Sequence, residues 1–86
     1  MSPDSESIQS KVKEFILAQF LPGEDPNALT ESTPLMTTGI LDSLATLKLI
    51  TFLEEEFGIR VEAYEADAEN LNTLADITRF VSSKRG

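Results

Sequence analysis

The sequence predicts an all-α fold: a four-helix bundle of three main helices and one short helix, with a long loop between helices one and two. Three observations predict it. Apolar residues recur at helical spacing in three separate stretches. No stretch alternates apolar and polar residues for a useful length, as a half-buried strand would. Proline and glycine bound these stretches, where they act as breakers.

The first helix rests on Ile8, Val12, Phe15, Ile16 and Phe20, one face of a 3.6-residue period. Ser5 or Ser7 can cap it, and Leu21-Pro22-Gly23 stops it. Residues 22–42 then form a loop. They hold Pro22, Gly23, Pro26, Pro34 and Gly39, with Leu29, Leu35, Ile40 and Leu41 as anchors to a core and Met36 available to join them. A loop of this length in a small domain tends to carry function. The second helix is the clearest. Leu47, Ile50, Leu53 and Phe57 make its inner stripe with Leu49 alongside, and Gly58 suits a left-handed position after the last turn.

Ile59 and Val61 make a short apolar link. Residues 63–70 form a brief acidic third helix, closed by Leu71. The last helix begins near Asn72 or Thr73, where Thr73 and Asp76 have capping-box spacing. Leu74, Ile77 and Val81 give its inner face, with Phe80 nearby. Lys84 and Arg85 suit its C-terminus, where cations oppose the negative end of the dipole. The core is expected from Ile8, Val12, Phe15, Leu47, Ile50, Leu53, Phe57, Leu74, Ile77 and Val81.

Eighty-six residues make one domain, 1–86, expected to be ordered over residues 5–82. The net charge of −8 repels nucleic acid and anionic membranes and favours partners with basic patches. Cysteine and histidine are both absent. That removes a disulfide framework, the nucleophilic thiol, the commonest general base and the commonest metal ligands. No metal site is expected. The acidic N-terminus lacks a secretory pattern, and no apolar run could span a bilayer. A cytoplasmic monomer is the expectation.

One serine stands out. Ser43 begins the strongest helix at the end of the long loop, next to Asp42. A serine there is most often only a cap, but Asp42 is the better cap, which leaves the Ser43 hydroxyl available. Unpaired backbone N–H groups and the positive dipole end make a helix start a natural place for a phosphate. Ser43 has no histidine to activate it, and Lys48 lies five positions on, on another part of the helix surface. No catalytic residues are expected. Modification by another enzyme is the better role.

Gly39-Ile40-Leu41-Asp42-Ser43-Leu44, then Leu47-Lys48-Leu49-Ile50 and Leu53-Glu54-Glu55-Glu56-Phe57-Gly58, resembles the attachment site and recognition helix of acyl carrier proteins. The similarity runs over residues 8–82. It includes Pro34-Leu35 and Leu71-Asn72-Thr73-Leu74. The resemblance implies a 4'-phosphopantetheine arm from coenzyme A, joined by a phosphopantetheinyl transferase to Ser43 as a phosphodiester. It implies an acyl or aminoacyl thioester on that arm, presented to partner enzymes in lipid or secondary metabolite biosynthesis.

Ala45 and Lys48 stand where fatty acid carriers usually have acidic residues, and the stretch from Gly58 to Leu71 looks longer than theirs. The pattern is closer to D-alanyl carriers and to stand-alone carriers loaded by AMP-forming acyl or amino acid ligases. Such a carrier would take small cargo, and the Phe52 ring could fill space that a long chain needs. Leu44, Lys48, Thr51, Glu54 and Glu55 are the expected partner surface. Glu54, Glu55 and Glu56 crowd the end of a helix that disfavours carboxylates, which suggests docking on basic residues. The competing class is an acidic protein–protein interaction module without a prosthetic group.

Overall fold

The computed structural model describes residues 3–85, with side chains from residue 6 onward. Helix α1 spans Pro3–Phe20, α2 Ser43–Phe57, α3 Ala68–Leu71 and α4 Leu74–Arg85. Single 3-10 turns occupy Pro26–Ala28 and Ala63–Glu65. No strand occurs among the described residues. The fold is the expected small helical bundle.

Proline is tolerated in the first turn of a helix because the N–H it lacks has no intrahelical partner there. That lets α1 begin at Pro3. Ser7 therefore lies inside α1 and does not cap it, while the Ser5 side chain falls outside the described ones. Ile8, Val12 and Ile16 repeat every fourth residue and are fully buried. This stripe lies chiefly against α4, where Leu74, Ile77 and Val81 are equally buried. The segment expected as one third helix, 63–70, is instead a 3-10 turn followed by one turn of α-helix. Asp67 caps α3 from the break, accepting the Asn70 N–H.

Helix α2 buries Ala45, Thr46, Leu49 and Leu53. Two expectations fail on it. Leu47, assigned to the core, is 59% exposed. At about 100° per residue it sits roughly 120° around the helix from Leu53, so a stripe started at Leu47 is out of phase with the buried face. Ala45, treated as a surface position, is buried. Phe15, Ile50 and Phe57 are half-buried at the edge of the core rather than within it. Gly58 ends the helix at φ 64°, as expected, and its N–H reaches the Glu54 carbonyl.

Phe80 is buried in the core, while the other four phenylalanines pack at its margin. Phe15 of α1 and Phe52 of α2 stack at 4.2 Å and 14°. Phe20 meets Phe15 edge-on at 5.7 Å, and Phe57 meets Phe52 edge-on at 6.1 Å. These four of the five phenylalanines form a continuous row along the α1–α2 seam. Phe52 thus faces α1, away from the side of α2 that carries Ile50.

The loop is held from a distance. Leu29, Leu35 and Leu41 are buried as expected, with Met36 and Ile40 packed against them. Asn72, between α3 and α4, binds the loop three times. Its carbonyl accepts the Leu35 N–H, and its side-chain oxygen accepts the N–H groups of Met36 at 2.9 Å and Thr37 at 3.2 Å. The Ala75 N–H reaches the Glu31 carbonyl at 3.0 Å. The Leu41 N–H closes onto the Leu35 carbonyl at 2.9 Å, which fixes the chain immediately before Asp42.

Candidate functional site

Ser43 is the first residue of α2, and its side chain is exposed. Asp42 is the cap: its backbone is extended, and its Oδ1 accepts the Ala45 N–H at 2.8 Å. The Asp42 carbonyl accepts the Thr46 N–H at 2.8 Å. The N–H groups of Ser43 and Leu44 have no partner among the described residues. The Ser43 hydroxyl has none either. The first turn of α2 carries no acidic residue.

This geometry fits a phosphodiester on Ser43. Ser43 is exposed at the mouth of a groove, two backbone donors are open, and the positive end of a four-turn helix lies beneath. Asp42 is already engaged as the cap. The chain has no histidine or cysteine, so nothing beside Ser43 could act as a strong base toward it.

Two hollows border this helix start, and a third lies farther along α2. A groove of about 730 Å³ runs between α2 and the 61–66 segment, from Ser43 past Thr46, Ile50, Val61 and Ala66. Its charged lining residues, Asp42 and Glu62, are both acidic. The Thr46 hydroxyl is buried beside it with no hydrogen-bond partner among the described residues, and its oxygen is closed to solvent. On the opposite side of α2, a hollow of about 300 Å³ is lined by Asp42, Leu44, Lys48 and Gln19. It shares Lys48 and Gln19 with a groove of about 590 Å³ along the Phe15–Phe52 row. Leu47 is the ridge between the two large grooves and lines both.

The expected partner residues separate into two groups. Leu44 is 62% exposed, and Lys48, Thr51 and Glu55 are exposed with it along the outer side of α2. The Thr51 hydroxyl donates back to the Leu47 carbonyl at 3.1 Å. Glu54 is different. It is half-buried, and its Oε2 accepts the Val61 N–H at 2.9 Å, so it ties the chain after Gly58 back onto α2. Glu56 pairs with Lys11 of α1 at 3.2 Å. Only Glu55 of the three lacks a partner among the described residues. Leu47, missed as a surface residue, belongs with Leu44 on the exposed side.

The Ala63–Glu65 turn is latched as well. Glu65 Oε1 accepts the Glu62 N–H at 2.9 Å and stands 2.6 Å from Lys84 Nζ at the end of α4. The Lys84 ammonium, then the Glu62 N–H, hold the Glu65 carboxyl below its ordinary pKa. No sequence signal pairs these residues, since Lys84 reads only as a C-terminal cation.

Comparison with known proteins gives a consistent family. A model described as the phosphopantetheine attachment site matches residues 16–81. An acyl carrier protein of Thermotoga maritima is 36% identical over 81 residues, covering 94% of this chain and 95% of its own. Acyl carrier proteins of Chlamydia caviae and Lactobacillus acidophilus are each 31% identical, with 93% and 94% of this chain covered and 99% and 96% of theirs. No helix of the described residues is long and apolar enough to cross a membrane.

Proposed function

The chain belongs to the acyl carrier protein family, non-catalytic carriers with a covalently attached 4'-phosphopantetheine, and on that premise we propose that Ser43 holds the arm. The observation that carries this is the exposed, unpartnered Ser43 hydroxyl on a helix start whose first two amides are open. Attachment joins the Ser43 oxygen to the pantetheine phosphorus of coenzyme A, expels 3',5'-ADP and passes the hydroxyl proton to a base on the transferase. The bound arm supplies a terminal thiol that carries an acyl or aminoacyl group as a thioester. Asp42 keeps the helix start closed around its own cap bond, so the open amides of Ser43 and Leu44 remain for the phosphodiester. Loop residues 35–41, fixed by Asn72, hold this start in place.

Partner enzymes dock on the exposed side of α2, with Leu44 and Leu47 as apolar contacts and Lys48 and Glu55 as charged ones. They include a phosphopantetheinyl transferase and an AMP-forming ligase that activates a small acyl or aminoacyl group. Lys48 supports this choice, because a cation on the docking helix repels the basic surfaces that read acidic carriers. Ala45 no longer contributes, being buried. Phe52 does not bear on chain length in the Ser43–Ile50 groove, since it faces α1.

The test is intact mass after incubation with coenzyme A and a broad-specificity transferase. One phosphopantetheine should be gained, and Ser43→Ala should gain none while keeping its helical spectrum. A full gain on the Ala variant refutes the assignment. Charging of the holo protein by adenylating ligases, in competition with fatty acid synthase enzymes, tests the cargo class. Efficient malonyl loading with no ligase charging would overturn it.

A further inference from the structure

We propose that the α1–α2 seam receives an amphipathic helix of a partner enzyme. An apolar side chain of that helix covers the Phe15–Phe52 pair, while an acidic and a basic residue two turns apart meet Lys48 and Glu55. This rests on the docking of partner enzymes on the exposed side of α2, and it extends that surface onto α1.

The seam is an open groove of about 590 Å³ between two helices. Phe15 and Phe52, stacked at 4.2 Å and each half-buried, line it from the two sides. Leu47, 59% exposed, is the ridge along its edge. Gln19, exposed on α1, adds an amide and no charge. An apolar groove between helices suits a partner helix laid in by its apolar face. The half-exposed phenylalanine pair and Leu47 supply the apolar contact, and with it most of the affinity.

Charge selects which helix fits. The charged residues lining the groove are Lys48, Glu55 and Glu56. Glu56 is already paired with Lys11 at 3.2 Å. Lys48 and Glu55 have no ion pair among the described residues. Seven positions apart on α2, they share one stripe and stand about 10 Å from each other along the axis. Lys48 marks the end nearer Ser43, and Glu55 marks the far end. Asp42 shares the adjoining hollow with Lys48, but its Oδ1 is engaged by the Ala45 N–H. A uniformly basic surface matches only the Glu55 end and is repelled by Lys48. A helix with one acidic and one basic residue two turns apart matches both ends, and an apolar residue midway between them lies over Thr51 and Phe52. Each exposed pair adds little affinity, so the two act mainly on register and partner choice. The net charge of −8 repels nucleic acid and anionic membranes from this face. A second copy related by a two-fold axis would also set Lys48 against Glu55, but two chains of charge −8 repel each other.

The probes are three stapled helical peptides with leucine at the centre. One carries Glu and Lys two turns apart about that leucine, one carries Lys at both positions, and one carries Glu at both. Each is titrated into the isotope-labelled full chain. The Glu/Lys peptide should shift the Phe15 and Phe52 ring signals and the Gln19, Lys48 and Glu55 amides, and leave the Val61 and Ala66 methyls in place. It should bind several-fold more tightly than either single-sign peptide. Lys48→Glu, on the surface, should move the preference to the Lys/Lys peptide, and Glu55→Lys should move it to the Glu/Glu peptide. Binding of the Lys/Lys peptide to the unaltered chain as tightly as the Glu/Lys one overturns the charge pairing. Shifts at Leu44 and Leu47 without Phe15 or Gln19 overturn the seam while leaving docking on α2 in place. Shifts confined to Val61 and Ala66, or absent everywhere, also overturn the seam. Arm transfer to Leu44→Ala measures docking on α2 independently of the peptides, and an unchanged rate there removes the premise instead. Concentration-dependent slowing of tumbling without peptide, lost in Lys48→Glu, assigns the seam to a second copy and overturns the partner helix.

Discussion

Lys84 Nζ stands 2.6 Å from Glu65 Oε1 and fastens the end of α4 to the turn that opens the third-helix segment. Both side chains are largely shielded, at 26% and 16% exposure, unlike the open Arg60–Glu62 pair. The Glu65 carboxyl is held below its ordinary value of 4.5, first by Lys84 and then by the Glu62 N–H. A carboxyl depressed in the folded state stabilises it above the unfolded pKa and loses that contribution as pH falls through the folded one. Glu65→Gln should therefore lower Tm near neutral pH and leave a smaller difference from wild type below pH 4.5. Thermal melts across this range check it, and a constant difference at every pH refutes it.

Leu53 and Leu47 lie in the same helix with opposite surroundings. Leu53 is fully buried, and Leu53→Ala should cost about 2–5 kcal/mol. Leu47 is 59% exposed, and Leu47→Ala should cost under about 0.5 kcal/mol while slowing arm transfer. Urea unfolding and transferase kinetics separate the two effects. Similar stability losses would contradict the burial pattern.

The acidic triplet should divide the same way. Glu54→Gln weakens the acceptor for the Val61 N–H and should cost about 1 kcal/mol. Glu55→Lys should leave stability within about 0.5 kcal/mol but weaken charging by the cognate ligase, most at low salt. If Glu55→Lys charges normally at every ionic strength, the docking surface does not reach that far along α2.

Asn72→Ala removes the acceptor shared by the Met36 and Thr37 N–H groups and should cost about 1–3 kcal/mol. Transfer of the arm to Ser43 should slow, because the loop before Asp42 loses its hold. Asn72→Asp keeps an acceptor and should lie between. Unchanged hydrogen exchange at Met36 and Thr37 in the Ala variant would contradict this assignment.

Local features were legible in the sequence. Asp42 capping α2, Thr73 capping α4 through the Asp76 N–H, and Gly58 in a left-handed conformation each depend on residues within one turn. The buried stripes of α1 and α4 were legible because their apolar residues have no competing face. On α2 apolar residues occur on nearly every side, so periodicity alone placed Leu47 inward, while the resemblance to fatty acid carriers placed Ala45 on the surface. The candidate serine was legible from its cap and its motif. The residues that hold it were not. Glu54 meets Val61 seven positions away, and Asn72 meets Met36 thirty-six away, across a loop whose path no local pattern encodes.

The Asn72 clip makes the fixing of the loop before Asp42 a late event in the life of the chain. Residues 36 and 37 cannot be held until residue 72 has left the ribosome and the two ends of the molecule have met. A nascent or truncated chain that stops short of residue 72 can contain every residue of the serine motif and still lack this hold on the loop. On the proposed attachment to Ser43, arm transfer would favour molecules in which residue 72 has already reached the loop.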